Sequence, residues 1–155
     1  MIVGNGRTVL KELDVEATKE FIRNQSPETK VYIGADSEKL KINGKWYADY
    51  TCSVVVHIDG CHGCKVFGKT VRMPDYDIKK GAPKMRMMNE TYLVAEVFLD
   101  LAEVLVDQRE FELHLDINPD IKHGSSCAVK EAVSYIRGVC NVVPMVKPNA
   151  QAASF

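Results

Sequence analysis

The chain has 155 residues, of which 46% are hydrophobic and 26% are charged, and its formal net charge is −1. A chain of this length can bury roughly two thirds of its unfolded surface, so we expect one domain over residues 1–155, with residues 1–29 as a helical lead-in. The balanced charge excludes a global basic field, and any binding of nucleic acid must therefore depend on a local patch.

Cysteine usage and the N-terminus indicate where the protein acts. The chain has five cysteines, an odd number, and its first residues lack the charged and apolar regions of a secretory signal. No apolar run approaches the roughly 20 residues that a membrane span requires. We therefore expect a cytoplasmic protein with reduced thiols and no membrane partner.

The first half of the chain predicts one helix and three antiparallel strands. Asp14 has the side chain of a helix N-cap and starts a helix that runs to about Asn24. The Asn43-Gly44 pair favours the tight turn of a hairpin. The predicted strands are Lys30–Asp36, Trp46–Ile58 and Cys64–Arg72.

The second half predicts alternating helices and strands. Apolar residues recur at helical spacing in a long helix over Lys84–Asp107, and a second helix runs from Ser125 or Ser126 to Arg137, with Gly138 as its C-terminal stop. The strands are Phe111–Ile117 and Asn141–Lys147. Right-handed crossovers make the first, fourth and fifth strands parallel, which predicts an α/β fold with a mixed five-stranded sheet and helices on its faces.

Two aspartates end neighbouring strands of this predicted sheet. Asp36 follows the apolar run of the first strand and Asp116 that of the fourth, and both lie on the less apolar face. Parallel neighbours would bring them together at the carboxyl edge of the sheet, where open α/β sheets place their sites. An unpartnered carboxylate in a covered strand costs several kcal/mol, so some cation must compensate it.

The long helix adds a third acid. At about 100° of rotation per residue, Glu90 lies within the apolar stripe, whereas Glu96 lies on the opposite side and is expected to face water. Three converging carboxylates repel each other unless a hard divalent ion binds them. We therefore expect one or two Mg²⁺ or Mn²⁺ ions at Asp36, Glu90 and Asp116.

A basic loop precedes this helix. It could simply be solvated, but beside three acids and a metal its cations would bind the phosphates that flank a reacting phosphodiester. His123, just after the fourth strand, could transfer protons near its ordinary pKa of about 6.5, or it could be an ordinary polar loop residue. The cations of the loop are Lys79, Lys80, Lys84 and Arg86.

Several segments in order resemble a known family. The stretches "YIGADSE", "RMMNETYLVAE", "HLDINPD" and "VKPNAQAAS", within residues 30–154, resemble the YkuK-type (DUF458) family of ribonuclease H-like proteins. The resemblance implies a ribonuclease H-like fold with strand order 3-2-1-4-5, and it implies that Asp36, Glu90 and Asp116 are metal ligands. Members of the family usually continue into a C-terminal helix with a fourth acid, whereas this sequence ends at Phe155.

These features support two functions. The first is a divalent-metal-dependent nuclease that hydrolyses phosphodiester bonds in RNA, RNA–DNA hybrid or structured DNA. The alternative is a catalytically weak or inactive nucleic-acid-binding module of the same fold, because the fourth acid is missing. The sequence leaves the choice of substrate and the oligomeric state open.

A separate metal hypothesis concerns the segment "HIDGCHGCK". Its side chains offer enough soft ligands for tetrahedral zinc. However, a second well-spaced pair of ligands is missing, and the same residues are also typical of a hairpin tip. The candidate zinc ligands are His57, Cys61, His62 and Cys64.

Overall fold

The computed structural model describes residues 2–3, 6–60, 62–75, 84–115 and 125–146, with the backbone alone at 2, 3, 84 and 125–127. These residues form seven strands and three α-helices. In chain order they are β1 (Ile2–Val3), β2 (Arg7–Lys11), α1 (Val15–Arg23), β3 (Lys30–Ile42), β4 (Lys45–His57), β5 (Cys64–Pro74), α2 (Lys84–Leu105), β6 (Phe111–Leu115), α3 (Ser125–Cys140) and β7 (Met145–Val146).

The strands form one mixed sheet in the order β1-β2-β5-β4-β3-β6-β7. The middle and one edge of the sheet, β5-β4-β3-β6-β7, follow the expected order 3-2-1-4-5. The prediction of five strands was wrong, because the N-terminal segment adds two strands beside β5, with Thr8 opposite Arg72. Only the later part of that segment is helical, from Val15.

β3 is longer than the sequence predicted. It does not end at Asp36 but continues to Ile42, because β4 pairs with it antiparallel along its whole length, with Asp36 opposite Thr51. The hairpin turn is confirmed, since Asn43 and Gly44 have φ values of 50° and 79°, the left-handed pair that a two-residue hairpin requires. Asp36 therefore lies in mid-strand, and its side chain is exposed rather than covered.

One face of the sheet carries the main apolar core. Alternate residues of β3, including Val31, Ile33 and Ala35, are buried in one cluster with residues of β4, β6 and all three helices. Because α1 and α3 each pack beside α2, the described helices form one layer, and helices on both faces are not observed in this part of the chain. Val55, on the opposite face, is buried outside this cluster.

Helix α2 is the centre of the layer, and its predicted apolar stripe is confirmed. Phe98 stacks on Phe111 of β6 with ring centroids 5.3 Å apart, and Tyr92 contacts Tyr135 of α3 at 4.9 Å. The residues of the stripe are all buried. They are Met87, Thr91, Val94, Phe98, Leu101 and Leu105.

Gly138 does not end α3 as predicted. The helix continues to Cys140, and Asn141 takes the left-handed conformation with φ 58° while its N–H bonds the carbonyl of Arg137. Asparagine tolerates this backbone and can replace glycine as a helix stop. None of the described helices combines the length and the apolar composition that a membrane span needs.

Glu96, which was expected to face water, is only partly exposed and forms ion pairs with the sheet. Arg7 of β2 donates two hydrogen bonds to its carboxylate, each of 2.7 Å, and Lys69 of β5 donates a third, also of 2.7 Å. These bonds from Arg7 lower the pKa of Glu96 to about 2, against the opposing effect of partial burial and with help from Lys69. The ion pairs connect β2 and β5 to α2.

Replacing Glu96 by glutamine should destabilise the fold in a pH-dependent way. Because the folded pKa of about 2 lies below the ordinary 4.5, the carboxylate stabilises the fold fully above about pH 4.5, and this contribution is lost as the pH falls toward 2. After allowance for solvent screening, we expect Glu96→Gln to lower the free energy of unfolding by about 1–2 kcal/mol at pH 7. Urea unfolding at pH 7 and pH 2.5 measures this.

The exposed Asp100, on the same helix, provides the control, and Asp100→Asn should change the unfolding free energy little at either pH. If Glu96→Gln is as stable as the wild type at pH 7, the ion pairs of Glu96 do not stabilise the fold. If the variant is destabilised by the same amount at pH 2.5 as at pH 7, its effect does not come from the charge of Glu96.

Candidate functional site

The candidate site lies where the described pairing of β3 with its parallel neighbour β6 ends. The N–H of Val31 bonds the carbonyl of Glu110, so alternate residues of β3 from Val31 onward direct their N–H groups toward β6. The described pairing with β6 ends at Ala35 opposite Leu115. Ser37 is the next residue of β3 whose N–H points to this edge.

The carboxylate of Asp36 turns toward this edge. Its Oδ1 accepts a hydrogen bond of 2.8 Å from the backbone N–H of Ser37. Although the Asp36 side chain starts on the face opposite the helices, its carboxylate therefore lies along the β6 side of the strand.

Glu90 approaches the same serine from the helix layer. It lies in the second turn of α2, and its Oε2 accepts a hydrogen bond of 2.5 Å from Ser37 Oγ. Ser37 therefore contacts both acids, one through its backbone and one through its hydroxyl. No motif in the sequence predicted a role for Ser37, although its position after Asp36 and the alternation of strand side chains place its hydroxyl on the helix face.

Tyr50 contacts Asn89, the residue before Glu90. It lies opposite Ser37 on β4, and its hydroxyl accepts a hydrogen bond of 3.2 Å from Asn89 Nδ2. Burial raises the pKa of Tyr50 to about 12, against the lowering effect of the Asn89 bond, so the phenol stays neutral at physiological pH. This contact holds the start of α2 against β4.

The third predicted ligand lies outside the described residues. The predicted parallel pairing of β3 with β6 is confirmed as far as Ala35 opposite Leu115. The described residues contain no group of three or more His, Cys, Asp or Glu side chains that could hold a metal ion. Of the three predicted ligands, the structure describes Asp36 and Glu90.

A comparison with protein families identifies the chain. A family model described as Ribonuclease H-like matches residues 14–155. The chain belongs to the ribonuclease H-like family. This confirms the resemblance to the YkuK-type (DUF458) proteins, and the matched range contains the positions of Asp36, Glu90 and Asp116. No curated protein and no solved structure matches the chain significantly.

The basic segment of this ribonuclease H-like chain is only partly described. Lys79, Lys80 and His123 lie outside the described residues, and Lys84 is the first residue of α2. The Nε of Arg86 lies 4.0 Å from Oδ2 of Asp75, a residue that is 5% exposed. Arg86 is therefore placed beside a buried carboxylate at the start of the helix that carries Glu90.

The other face of the sheet has a polar cluster beside the end of β6. His114 is buried, its Nε2 lies 2.8 Å from Oε1 of Glu112, and its ring packs on Tyr32 with centroids 5.3 Å apart. Tyr32 in turn contacts His57 at 5.0 Å. These contacts fix the last described residues of β6, directly before position 116.

Only some of the candidate zinc ligands lie within the described residues. His62 Nδ1 lies 3.3 Å from Asp59 Oδ2, and Cys64 is exposed at the start of β5. Cys61 lies outside the described residues. The zinc hypothesis stays a prediction.

Proposed function

We propose that this ribonuclease H-like chain is a divalent-metal-dependent nuclease that hydrolyses phosphodiester bonds in RNA, RNA–DNA hybrid or structured DNA. The observation that carries the proposal is the convergence of Asp36 and Glu90 on Ser37 at the end of β6. Family membership supports an action on nucleic acid.

The donor set fits Mg²⁺ or Mn²⁺. Both ions prefer carboxylate oxygens. The backbone N–H of Ser37 bonds one oxygen of Asp36, and the hydroxyl of Ser37 bonds one oxygen of Glu90. Asp36 is exposed and accessible to an ion with its waters. Asp116 would be the third ligand if the register of β6 continues by one residue. A bound ion would supply an activated water and stabilise the charge on the leaving oxygen.

The remaining predicted residues would act on the substrate. Lys79, Lys80, Lys84 and Arg86 precede or begin α2, so they would contact phosphates on either side of the scissile bond. His123 would transfer a proton to or from the reacting water. Ser37 would keep both carboxylates in place, and the Tyr50–Asn89 contact would fix the helix turn that carries Glu90.

The proposal is tested by incubating the purified chain with end-labelled RNA, RNA–DNA hybrid and four-way DNA junctions, in Mg²⁺, Mn²⁺ or EDTA. We expect cleavage of at least one substrate in the presence of metal and none in EDTA. Cleavage that persists in EDTA would contradict the proposal. Binding without cleavage of any substrate would instead identify the chain as the nucleic-acid-binding module.

A further inference from the structure

Beyond the candidate site, β3 and β4 continue as a hairpin arm, defined here as residues 39–46. The described pairing of β3 with β6 stops at Ala35, and that of β4 with β5 stops at Tyr47 opposite Pro74. At the end of the arm, Lys41 pairs with Trp46 and Ile42 with Lys45. Within the described residues, the end of the arm is therefore a two-stranded projection from the sheet.

The arm carries an aromatic ring flanked by cations. Lys39 Nζ lies 4.9 Å and Lys41 Nζ 5.6 Å from the ring centroid of Trp46, the distances of cation–π contacts. Trp46 is 36% exposed. Two ammonium groups and a solvent-facing indole thus occupy one small surface.

This surface lies on the same face as Ser37 and Glu90. Ser37, Lys39 and Lys41 alternate along β3, and at about 3.3 Å per residue Lys41 lies roughly 13 Å beyond Ser37. At about 3.4 Å per nucleotide in a stacked strand, and more in an unstacked one, this length is spanned by at most about four nucleotides. A substrate bound at the candidate site would therefore reach the arm.

The base of the arm is joined to the helix that carries Glu90. The N–H of Asp75 bonds the carbonyl of Trp46 at 3.0 Å, and the Asp75 carboxylate lies beside Arg86 of α2. These contacts connect the backbone at Trp46 to the helix that carries Glu90.

We propose that the hairpin arm binds an unpaired segment of the nucleic acid, with a base stacked on Trp46 and the adjacent phosphates at Lys39 and Lys41. The inference rests on the proposed function and specifies its substrate as one with a single-stranded part next to the cleaved bond. An indole can stack on a base only where a face of that base is free, and the interior pairs of a duplex offer no such face. The lysines supply positive charge for the adjacent phosphates.

Trp46 is the one tryptophan of the chain, so intrinsic fluorescence reports on the arm directly. The wild-type protein, in EDTA to prevent cleavage, is titrated with a 12-nucleotide oligo(U), a blunt RNA duplex of the same length and inorganic polyphosphate. We expect oligo(U) to quench the fluorescence strongly and the other two to quench it weakly. Equal quenching by the duplex or by polyphosphate would overturn the assignment to an unpaired base.

Two variants distinguish the contribution of base stacking to binding from the contribution of the lysine charges. Binding is measured by the fluorescence anisotropy of labelled oligo(U). We expect Trp46→Ala to weaken binding about 5- to 30-fold with little change in its salt dependence. The Lys39→Ala/Lys41→Ala double variant should reduce the slope of log K against log salt by about 1.4. Lys65→Ala is the matched control, since Lys65 lies 5.7 Å from the ring of Phe67 at the other end of the sheet, and it should bind like the wild type.

The binding proposal for the arm and the nuclease proposal can be contradicted independently of each other. If Trp46→Ala and the double lysine variant bind oligo(U) like the wild type, the arm does not bind the substrate, whatever the cleavage assays show. If oligo(U) quenches the fluorescence of Trp46 but no substrate is cleaved with any metal, the arm binds unpaired nucleic acid and the nuclease proposal is wrong. Circular dichroism spectra identical to that of the wild type establish that each variant is folded.

Discussion

Replacing Asp36 by asparagine should reduce metal-dependent cleavage by about 100-fold or more, the size of effect that follows the loss of one preorganised charge at a reacting centre. Asparagine has the same shape, so the hydrogen bond from the Ser37 N–H can persist while the negative charge that would bind the ion is lost. Initial rates with the best substrate, at saturating Mn²⁺, measure the effect.

Glu38 provides a matched control for this variant. It lies two residues farther along β3, on the same face of the sheet, and it is exposed like Asp36. Glu38→Gln also removes one negative charge, and this variant should cleave the substrate at the rate of the wild type. If Asp36→Asn cleaves as fast as Glu38→Gln, Asp36 is not part of the reacting centre.

Replacing Ser37 by alanine should have the second largest effect. Groups that orient a metal ligand without touching the metal typically change affinity or activity by about 10- to 100-fold when they are removed. Ser37→Ala deletes the hydroxyl that bonds Glu90 but keeps the backbone bond to Asp36. We therefore expect Mn²⁺ affinity and kcat/KM to fall by about 10- to 100-fold.

Two further variants show whether the hydroxyl itself is responsible. Ser37→Thr keeps the hydroxyl on a residue that strands favour, and it should retain most of the activity. Ser53→Ala removes a hydroxyl from β4 at a position opposite Gly34, on the other face, and should have no effect. Wild-type Mn²⁺ affinity in Ser37→Ala would show that Ser37 does not position Glu90.

The sequence predicted the parallel pairing of β3 with β6 because hydrophobic alternation and the intervening helix leave few other arrangements. It misplaced the end of β3, because the polar run after Asp36 resembles the end of a strand. The long antiparallel partner β4 overrides this local pattern, and pairing with a distant strand is not visible in local composition.

The two glutamates of α2 show a similar limit. Helical periodicity correctly placed Glu90 on the inner side, but its partner Ser37 is 53 residues away. The same periodicity placed Glu96 in water, whereas Arg7, 89 residues away, holds it against the sheet. A helical wheel gives the direction of a side chain but not the charges that other segments bring to it.

The most direct test of the account is a crystal of the protein soaked in Mn²⁺ and measured at the manganese absorption edge. We expect anomalous density at the end of β6, within ligand distance of Asp36 and Glu90. Density found elsewhere, or none near these carboxylates at saturating Mn²⁺, would contradict the claim that they form a metal centre.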